Sequence, residues 1–159
     1  MKKNINRPRI KMQLKNKKGI IKGYGSYFDK VDQQNDIITK GAFKKTLKAW
    51  ELSGKKPKML WQHQVQKPIG IWEHMLEDDY GLYVQGRLAL GVQAADEAYI
   101  LLQEGILDGL SIGFRTIEAV QDTQRKARLI LDLDLLEISL VTFGANPLAR
   151  VHGVKFSYE

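Results

Sequence analysis

The segment RLILDLDLLEISLVTF, residues 128–143, alternates apolar and polar side chains along most of its length. A period of two is typical of a β-strand that turns one face toward a core. The segment is long enough for one full strand or for a strand with a bend. A chain that contains it is therefore predicted to build its core on a β-sheet.

The rest of the chain predicts further strands and two helices. Strand patterns occur at residues 10–14, 20–29, 59–64 and 108–120, and in two arms around a hairpin turn, EDDYG, at 77–81. One helix is predicted over residues 41–52 with Thr39 as its cap, and another over residues 92–105, ended by Gly105. This order suggests a mainly β fold, an antiparallel barrel or sandwich with peripheral helices.

Composition limits the class of protein. The chain has 159 residues, 43% of them hydrophobic and 27% charged, as expected for one globular domain. It has no cysteine, which excludes disulfides and thiolate metal sites and suits a reducing compartment. No apolar run approaches the ~20 residues of a membrane span, and the N-terminus lacks the apolar stretch of a secretory signal. We therefore expect a soluble, cytoplasmic protein without a membrane partner.

The net charge of +7 is unevenly distributed, because no acidic residue precedes Asp29 and basic residues crowd the N-terminus. Basic charge at one end is more typical of an arm or an edge strand than of a groove for a duplex. It would still favour weak association with polyanions that salt would erode. Nucleic acid is therefore not expected to be the main partner.

Ser111 lies in DGLSIGFR, residues 108–115, between Gly109 and Gly113 on the same face of the predicted strand. The small neighbours would leave room for a carbonyl group to approach the hydroxyl, as a nucleophile requires. The alternative is a serine at a glycine-relieved crossing of two strands. GLSIG also spells the Gly-x-Ser-x-Gly elbow, but the strand-like residues that follow do not fit the strand-turn-helix of that motif.

Glu137 stands where the leucine face of the 128–143 segment calls for an apolar residue. A buried carboxylate without a partner costs several kcal/mol or has its pKa raised, so a partner should be sought. The alternative is a bulge after Asp134 that turns Glu137 outward.

Three histidines are available as a general base: His63, His74 and His152. His63 lies in the short predicted strand MLWQHQ, before an expected turn at Lys67-Pro68. A single histidine in such a strand is usually a core or rim residue. A hydrolytic site would need an imidazole that contacts both a hydroxyl and a carboxylate.

Metal and cofactor sites are not expected. No His-Glu-x-x-His motif and no phosphate-binding glycine loop occur. The aspartates of DKVDQQND, residues 29–36, lack the calcium-loop pattern and favour Asx turns.

Several separated motifs, in this order, resemble the prohead (capsid maturation) proteases of tailed phages. They are GYGSYFDKVDQQNDIITKGAF, MLWQHQ with PIGIW, GLSIGFR and LLEISLVTFGANPLA, and they run from about Gly23 to Ala149. The resemblance implies a serine peptidase distantly similar to herpesvirus assemblin, with a β-barrel and surrounding helices. Together with the charge distribution and the strand pattern at residues 10–14, it divides the chain into a basic arm and edge strand at 1–18, a peptidase domain at 19–150 and a C-terminal tail at 151–159.

By the same resemblance, Ser111 is the nucleophile, His63 the base and Glu137 the third member of a Ser-His-Glu triad. The TFGANP turn would supply oxyanion-hole N–H groups from Gly144 and Ala145, with no metal or cofactor. The implied substrates are the scaffold protein and the scaffold segment of the major capsid protein, with self-cleavage as an extension.

The implied place of action is the immature capsid in the host cytoplasm, and a homo-oligomer is left open. The rival class is a non-enzymatic barrel, either capsid-associated or nucleic-acid-binding, whose basic arm and aromatics such as Trp61 and Tyr83 would contact nucleic acid.

Overall fold

The computed structural model describes residues 19–155 and contains eight strands and two helices in that range. The strands are β1 Ile20–Tyr27, β2 Asp36–Ile38, β3 Lys58–Trp61, β4 Gln64–Glu77, β5 Gly81–Leu88, β6 Gly109–Asp122, β7 Ala127–Val141 and β8 Val151–Lys155. The helices are α1 Lys44–Ser53 and α2 Gln93–Gln103. The expected mainly β fold with peripheral helices is confirmed. The strand expected at residues 10–14 lies outside the described residues.

All eight strands belong to one sheet, in the order β2-β7-β3-β4-β5-β1-β8, with β6 paired to β7. Strand β7 is the organising element, because β2 and β3 run parallel to it and β6 runs antiparallel to it. The strand path is open. Strand β6, which lies off this path, meets the segment that enters β8 through a bridge between Gly109 and Arg150 and through hydrogen bonds from Leu110 N–H to the Ala149 carbonyl and from Val151 N–H to the Asp108 carbonyl.

The core lies between the curved sheet and its two helices, and its largest fully buried side chains include Trp72, Tyr99 and Phe43. Trp72 Nε1–H donates to the Ile138 carbonyl at 3.0 Å, so its polar atom is satisfied inside the core. No helix among residues 19–155 is both long and apolar enough to cross a membrane.

The helices and the 77–81 hairpin occur where the sequence predicts them, but the N-cap of α1 is a different residue from the predicted one. The prediction that Thr39 caps this helix is wrong. Phe43 occupies the N-cap position, and Thr39 Oγ1 donates instead to the Ile130 carbonyl at 3.0 Å. Thr39 therefore joins the chain before α1 to β7, a contact between residues far apart in sequence.

The C-terminal tail expected from residue 151 begins instead as a strand. β8 pairs antiparallel with β1, so the sheet continues through residue 155. Residues 1–18 and 156–159, which the sequence assigns to the arm and to the end of the tail, lie outside the described residues.

Candidate active site

Strands β6 and β7 bring the candidate nucleophile and the candidate acid onto one face of the sheet. Ser111 lies directly opposite Ser139, and Gly113 lies opposite Glu137. Directly opposite residues in an antiparallel pair point to the same side. The predicted division of β6 into an apolar face and a serine-glycine face is therefore confirmed.

A bulge at Leu136 explains why an acid interrupts the leucine pattern. Gly113 pairs with Glu137 but Phe114 pairs with Leu135, which leaves Leu136 as an extra residue, 42% exposed. The bulge reverses the alternation, so that the buried apolar side chains next to it change from odd positions, Leu133 and Leu135, to even positions, Ile138 and Leu140. Glu137 consequently leaves the core face, as the bulge hypothesis anticipated, yet its side chain is only 14% exposed and has partners.

Gly113 makes room for this carboxylate. A Cβ atom at position 113 would lie 2.3 Å from Glu137 Oε1, so any side chain there would displace the acid. The space beside Ser111 that the sequence attributes to an approaching carbonyl group is thus filled, on this side, by Glu137.

His63 lies in the turn between β3 and β4 rather than in a strand. Gln62 and His63 have φ angles of 51° and 58°, and Trp61 pairs with Gln64 across them. Two successive left-handed residues between paired strands define a tight hairpin. The prediction of a turn at Lys67-Pro68 is wrong, because both residues lie within β4.

The hairpin turn is fastened to β7. Gln62 and Thr142 exchange two hydrogen bonds, from Gln62 Nε2 to Thr142 Oγ1 at 2.8 Å and from Thr142 N–H to Gln62 Oε1 at 3.2 Å. His63 N–H donates to Ser139 Oγ at 3.0 Å. These contacts offset the cost of left-handed backbone in residues that are not glycine.

The His63 ring bridges the other two candidate residues. Its Nε2 atom lies 3.0 Å from Ser111 Oγ, and its Nδ1 atom is hydrogen-bonded to Glu137 Oε1. A carboxylate only accepts, so Nδ1 carries the proton of the neutral ring and Nε2 is free to accept from the serine hydroxyl. The structure therefore brings together the hydroxyl, the imidazole and the acid that the sequence singled out.

The other histidines lie elsewhere. His74 is in the middle of β4, and His152 on β8 lies 3.4 Å from the Tyr27 hydroxyl. Neither lines the cleft beside Ser111.

The hydrogen bond that His63 donates to Glu137 raises the pKa of His63 above its usual 6.5, and the negative charge of Glu137 adds to the effect. Partial burial of the ring opposes both, because desolvation disfavours the imidazolium. Glu137 thus favours the protonated form of the His63 ring, the imidazolium.

A cleft of about 300 Å³ opens beside Ser111. Its lining residues are Gly25, Ser26, Lys30, Asp32, Gln34, Asp36, Ile38, His63, Ser111, Ile112, Gly113, Phe114, Ala145 and Asn146. Ala145 therefore faces the cleft, whereas Gly144 is packed so closely that a Cβ there would lie 2.6 Å from the Leu110 carbonyl oxygen. Within residues 19–155, neither backbone N–H donates to another residue.

The aspartates that line the cleft form turns and an ion pair. Asp32 Oδ1 accepts from the N–H groups of Gln34 and Asp36 at 2.8 and 2.9 Å, as the predicted Asx turn requires. Asp36 forms a two-pronged ion pair with Arg128. Among residues 19–155, no cluster of three or more histidine or carboxylate side chains could hold a metal ion.

Sequence reasoning missed the residues that hold His63 in place, namely Gln62, Ser139 and Thr142. The alternation in β7 does place Ser139 on the same face as Glu137, and this shared face was the one sequence feature that could have identified Ser139. Nothing in WQHQ indicates a tight turn, since it contains no glycine, asparagine or aspartate.

A family model described as caudovirus prohead serine protease matches residues 7–159. The chain belongs to this family.

Two prohead proteases illustrate the family relationship. The protein of Enterobacteria phage HK97 is 33% identical over 160 residues, covering 92% of this chain and 64% of the relative. That of Escherichia phage T5 is 30% identical over 133 residues, covering 82% of this chain and 61% of the relative. The chain thus spans less than two thirds of the length of these family members.

Solved structures support the family fold. The capsid assembly protease gp21 of bacteriophage T4 superposes with a TM-score of 0.60 at 15% identity, covering 77% of this chain and 82% of that one. The KSHV protease in complex with a hexapeptide phosphonate inhibitor superposes with a TM-score of 0.52 at 10% identity, covering 89% and 66%. At these identities the likeness concerns the fold, and it confirms the expected similarity to herpesvirus proteases.

Proposed function

We propose that this chain is a serine endopeptidase of capsid maturation, with Ser111 as nucleophile, His63 as general base and Glu137 as the orienting acid. The observation that carries the proposal is the position of the His63 ring, with Nε2 3.0 Å from Ser111 Oγ and Nδ1 bonded to Glu137. Hydroxyl, imidazole and carboxylate in this order are the arrangement that activates a serine.

In the proposed reaction, Ser111 Oγ attacks the carbonyl carbon of the scissile peptide bond while its proton moves to His63 Nε2. The imidazolium is stabilised by Glu137 and then gives the proton to the leaving amine nitrogen as the C–N bond breaks. Water attacks the resulting acyl-enzyme, His63 takes a proton from that water, and the Ser111 hydroxyl is restored. Both protons pass through His63 Nε2: the proton of Ser111 ends on the leaving amine, and the proton taken from water restores the Ser111 hydroxyl as its ester bond breaks.

We assign the oxyanion hole to backbone N–H groups of the 142–147 loop, Ala145 first and Gly144 beside it. The support is that Ala145 lines the cleft with Ser111 and that neither N–H is used elsewhere among the described residues. One such donor contributes about 3–4 kcal/mol to lowering the barrier when it is aimed at the developing oxyanion.

The substrates proposed are capsid proteins inside the prohead, namely the scaffold protein and the scaffold segment of the major capsid protein, and also the protease chain itself. Family membership supports a capsid substrate and a location inside the prohead in the host cytoplasm. The match to a T4 capsid assembly protease concerns the fold and agrees with this role. We propose residues 19–155 as the peptidase domain, since all eight described strands share one sheet.

A fluorophosphonate probe tests the proposal, because it forms a covalent bond only with an activated serine. The wild-type protein should be labelled, and Ser111→Ala and His63→Ala should not be, whereas Ser53→Ala on the surface of α1 should react like the wild type. Labelling that persists in Ser111→Ala at the wild-type rate would show that another residue is the nucleophile.

A further inference from the structure

Ser139 connects the candidate base and the candidate acid to each other. Its hydroxyl oxygen accepts from His63 N–H at 3.0 Å, and its O–H donates to Glu137 Oε2 at 2.7 Å. Glu137 uses its other oxygen, Oε1, for the His63 ring. The backbone of His63, the hydroxyl of Ser139, the carboxylate and the imidazole thus form one closed ring of hydrogen bonds.

The burial of Ser139 makes the loss of any hydrogen bond in this ring costly. The residue is fully buried, directly opposite Ser111 in the β6–β7 pair. A buried hydroxyl that loses a partner leaves unsatisfied groups behind, and here these would be the N–H of His63 and one oxygen of a carboxylate. Since Ser139 is 0% exposed, a water molecule would have to enter a buried position to take over its two hydrogen bonds.

We propose that Ser139 is a positioning residue of the site, which fixes both the left-handed backbone of His63 and the rotamer of Glu137. The inference rests on the proposed function and adds a fourth residue to it. Ser139 does not touch the cleft, so it acts through its two partners. Without it, the hairpin turn keeps its Gln62–Thr142 contacts, but the imidazole and the carboxylate are no longer held at a fixed mutual angle.

Thr46 offers a matched control for the substitution Ser139→Ala. Its hydroxyl is also buried and accepts a β7 backbone N–H, that of Leu135, at 3.0 Å. Thr46→Ala therefore removes a comparable buried hydrogen bond that involves neither His63 nor the Glu137 carboxylate. We expect fluorophosphonate labelling of Ser111 to slow by at least about tenfold in Ser139→Ala, because a hydrogen bond to a charged group is lost, and to stay unchanged in Thr46→Ala.

A second readout does not depend on reactivity. The proton on His63 Nδ1 should give a strongly downfield NMR signal, assigned by its loss in His63→Ala. We expect this signal in the wild type and in Thr46→Ala, and its displacement or disappearance in Ser139→Ala. If Ser139→Ala does not fold, as judged by circular dichroism, Ser139→Cys replaces it, since a thiol keeps the volume but donates weakly.

An unchanged signal together with unchanged labelling in Ser139→Ala would overturn the inference and leave the proposed function intact. Labelling that survives in Ser111→Ala would instead overturn the proposed function, while the NMR comparison would still decide whether Ser139 positions His63. A wild-type protein that is not labelled leaves the decision to the NMR signal.

Discussion

Each residue of the candidate site has its conformation set by a contact with a distant part of the chain. His63 adopts a left-handed φ of 58° and is held by Ser139, whereas the Glu137 carboxylate occupies space that exists because position 113 has no side chain. Residue type and motif order singled out Ser111, His63 and Glu137 as candidates, and the structure brings the three side chains together. The role of Gly113 in leaving space for Glu137 could not be predicted, because it depends on which strand lies beside β6.

The raised pKa of His63 makes a prediction about pH. On the proposed assignment, in which the neutral imidazole of His63 is the base, peptidase activity should rise with pH through the folded pKa of His63, above the usual 6.5. The linkage to stability has the opposite sign. The pairing of imidazolium with Glu137 stabilises the fold fully below the unfolded pKa and is lost as pH rises through the folded one.

Glu137→Gln should lower the pKa of His63, because it removes the negative charge that favours the imidazolium and leaves only a neutral amide oxygen as acceptor. An NMR titration of the histidine ring measures the shift, and the midpoint of the labelling rate against pH should move with it. Glu51→Gln, which removes a negative charge from α1, serves as the control. An unchanged His63 pKa in Glu137→Gln would contradict the assignment of Glu137.

At the scale of elements, the β3–β4 hairpin carries the base to the strand pair that carries the other two residues. Its four-residue tip is fastened to β7 by Gln62, His63 N–H and the backbone bond from Gln62 N–H to the Leu140 carbonyl at 2.9 Å. Strand alternation predicted β6 and β7 well. It placed the turn of this hairpin too late, because the left-handed residues are stabilised by tertiary contacts that local sequence does not encode.

The Gln62–Thr142 contact can be tested with a double-mutant cycle. Gln62→Ala and Thr142→Val should each lower the free energy of unfolding by about 1 kcal/mol and slow labelling of Ser111, since the turn loses an anchor. Their effects should not add fully, because Gln62→Ala removes both hydrogen bonds and Thr142→Val removes one of the same two, that to the Thr142 hydroxyl. Urea denaturation and labelling rates measure the cycle, and strictly additive effects would show that the side chains do not act together.

Across the whole molecule, the cleft wall opposite Ser111 is tied to the far end of β7. The Arg128 guanidinium donates two hydrogen bonds of 2.8 Å to the Asp36 carboxylate, and the Asp36 side chain is only 4% exposed. The loop between β1 and β2 also reaches the candidate oxyanion loop, where Gln33 N–H donates to the Ala145 carbonyl at 3.0 Å. Residues from four separate segments, 25–38, 63, 111–114 and 145–146, therefore line one cleft, an arrangement that alternation alone could not specify.

Arg128→Ala should destabilise the protein by about 2–3 kcal/mol, because it leaves the buried Asp36 carboxylate without its cation. Arg128 is itself partly exposed, which is why we place the effect below that of a fully buried pair. Urea denaturation provides the measurement. Lys40→Ala, whose partner Asp79 is exposed, should have a much smaller effect, and equal losses in the two variants would contradict this account of Asp36.

The pairing of Ser111 with Ser139 and of Gly113 with Glu137 has a consequence for folding. Because successive side chains in a strand alternate, sliding β6 by one position along β7 would send the hydroxyl and the acid to opposite faces. A misaligned hairpin would therefore be inert as well as unstable. On the proposed assignment, the site forms only when β6 and β7 pair in the correct register. A molecule that has not yet formed this pairing therefore cannot cleave other proteins.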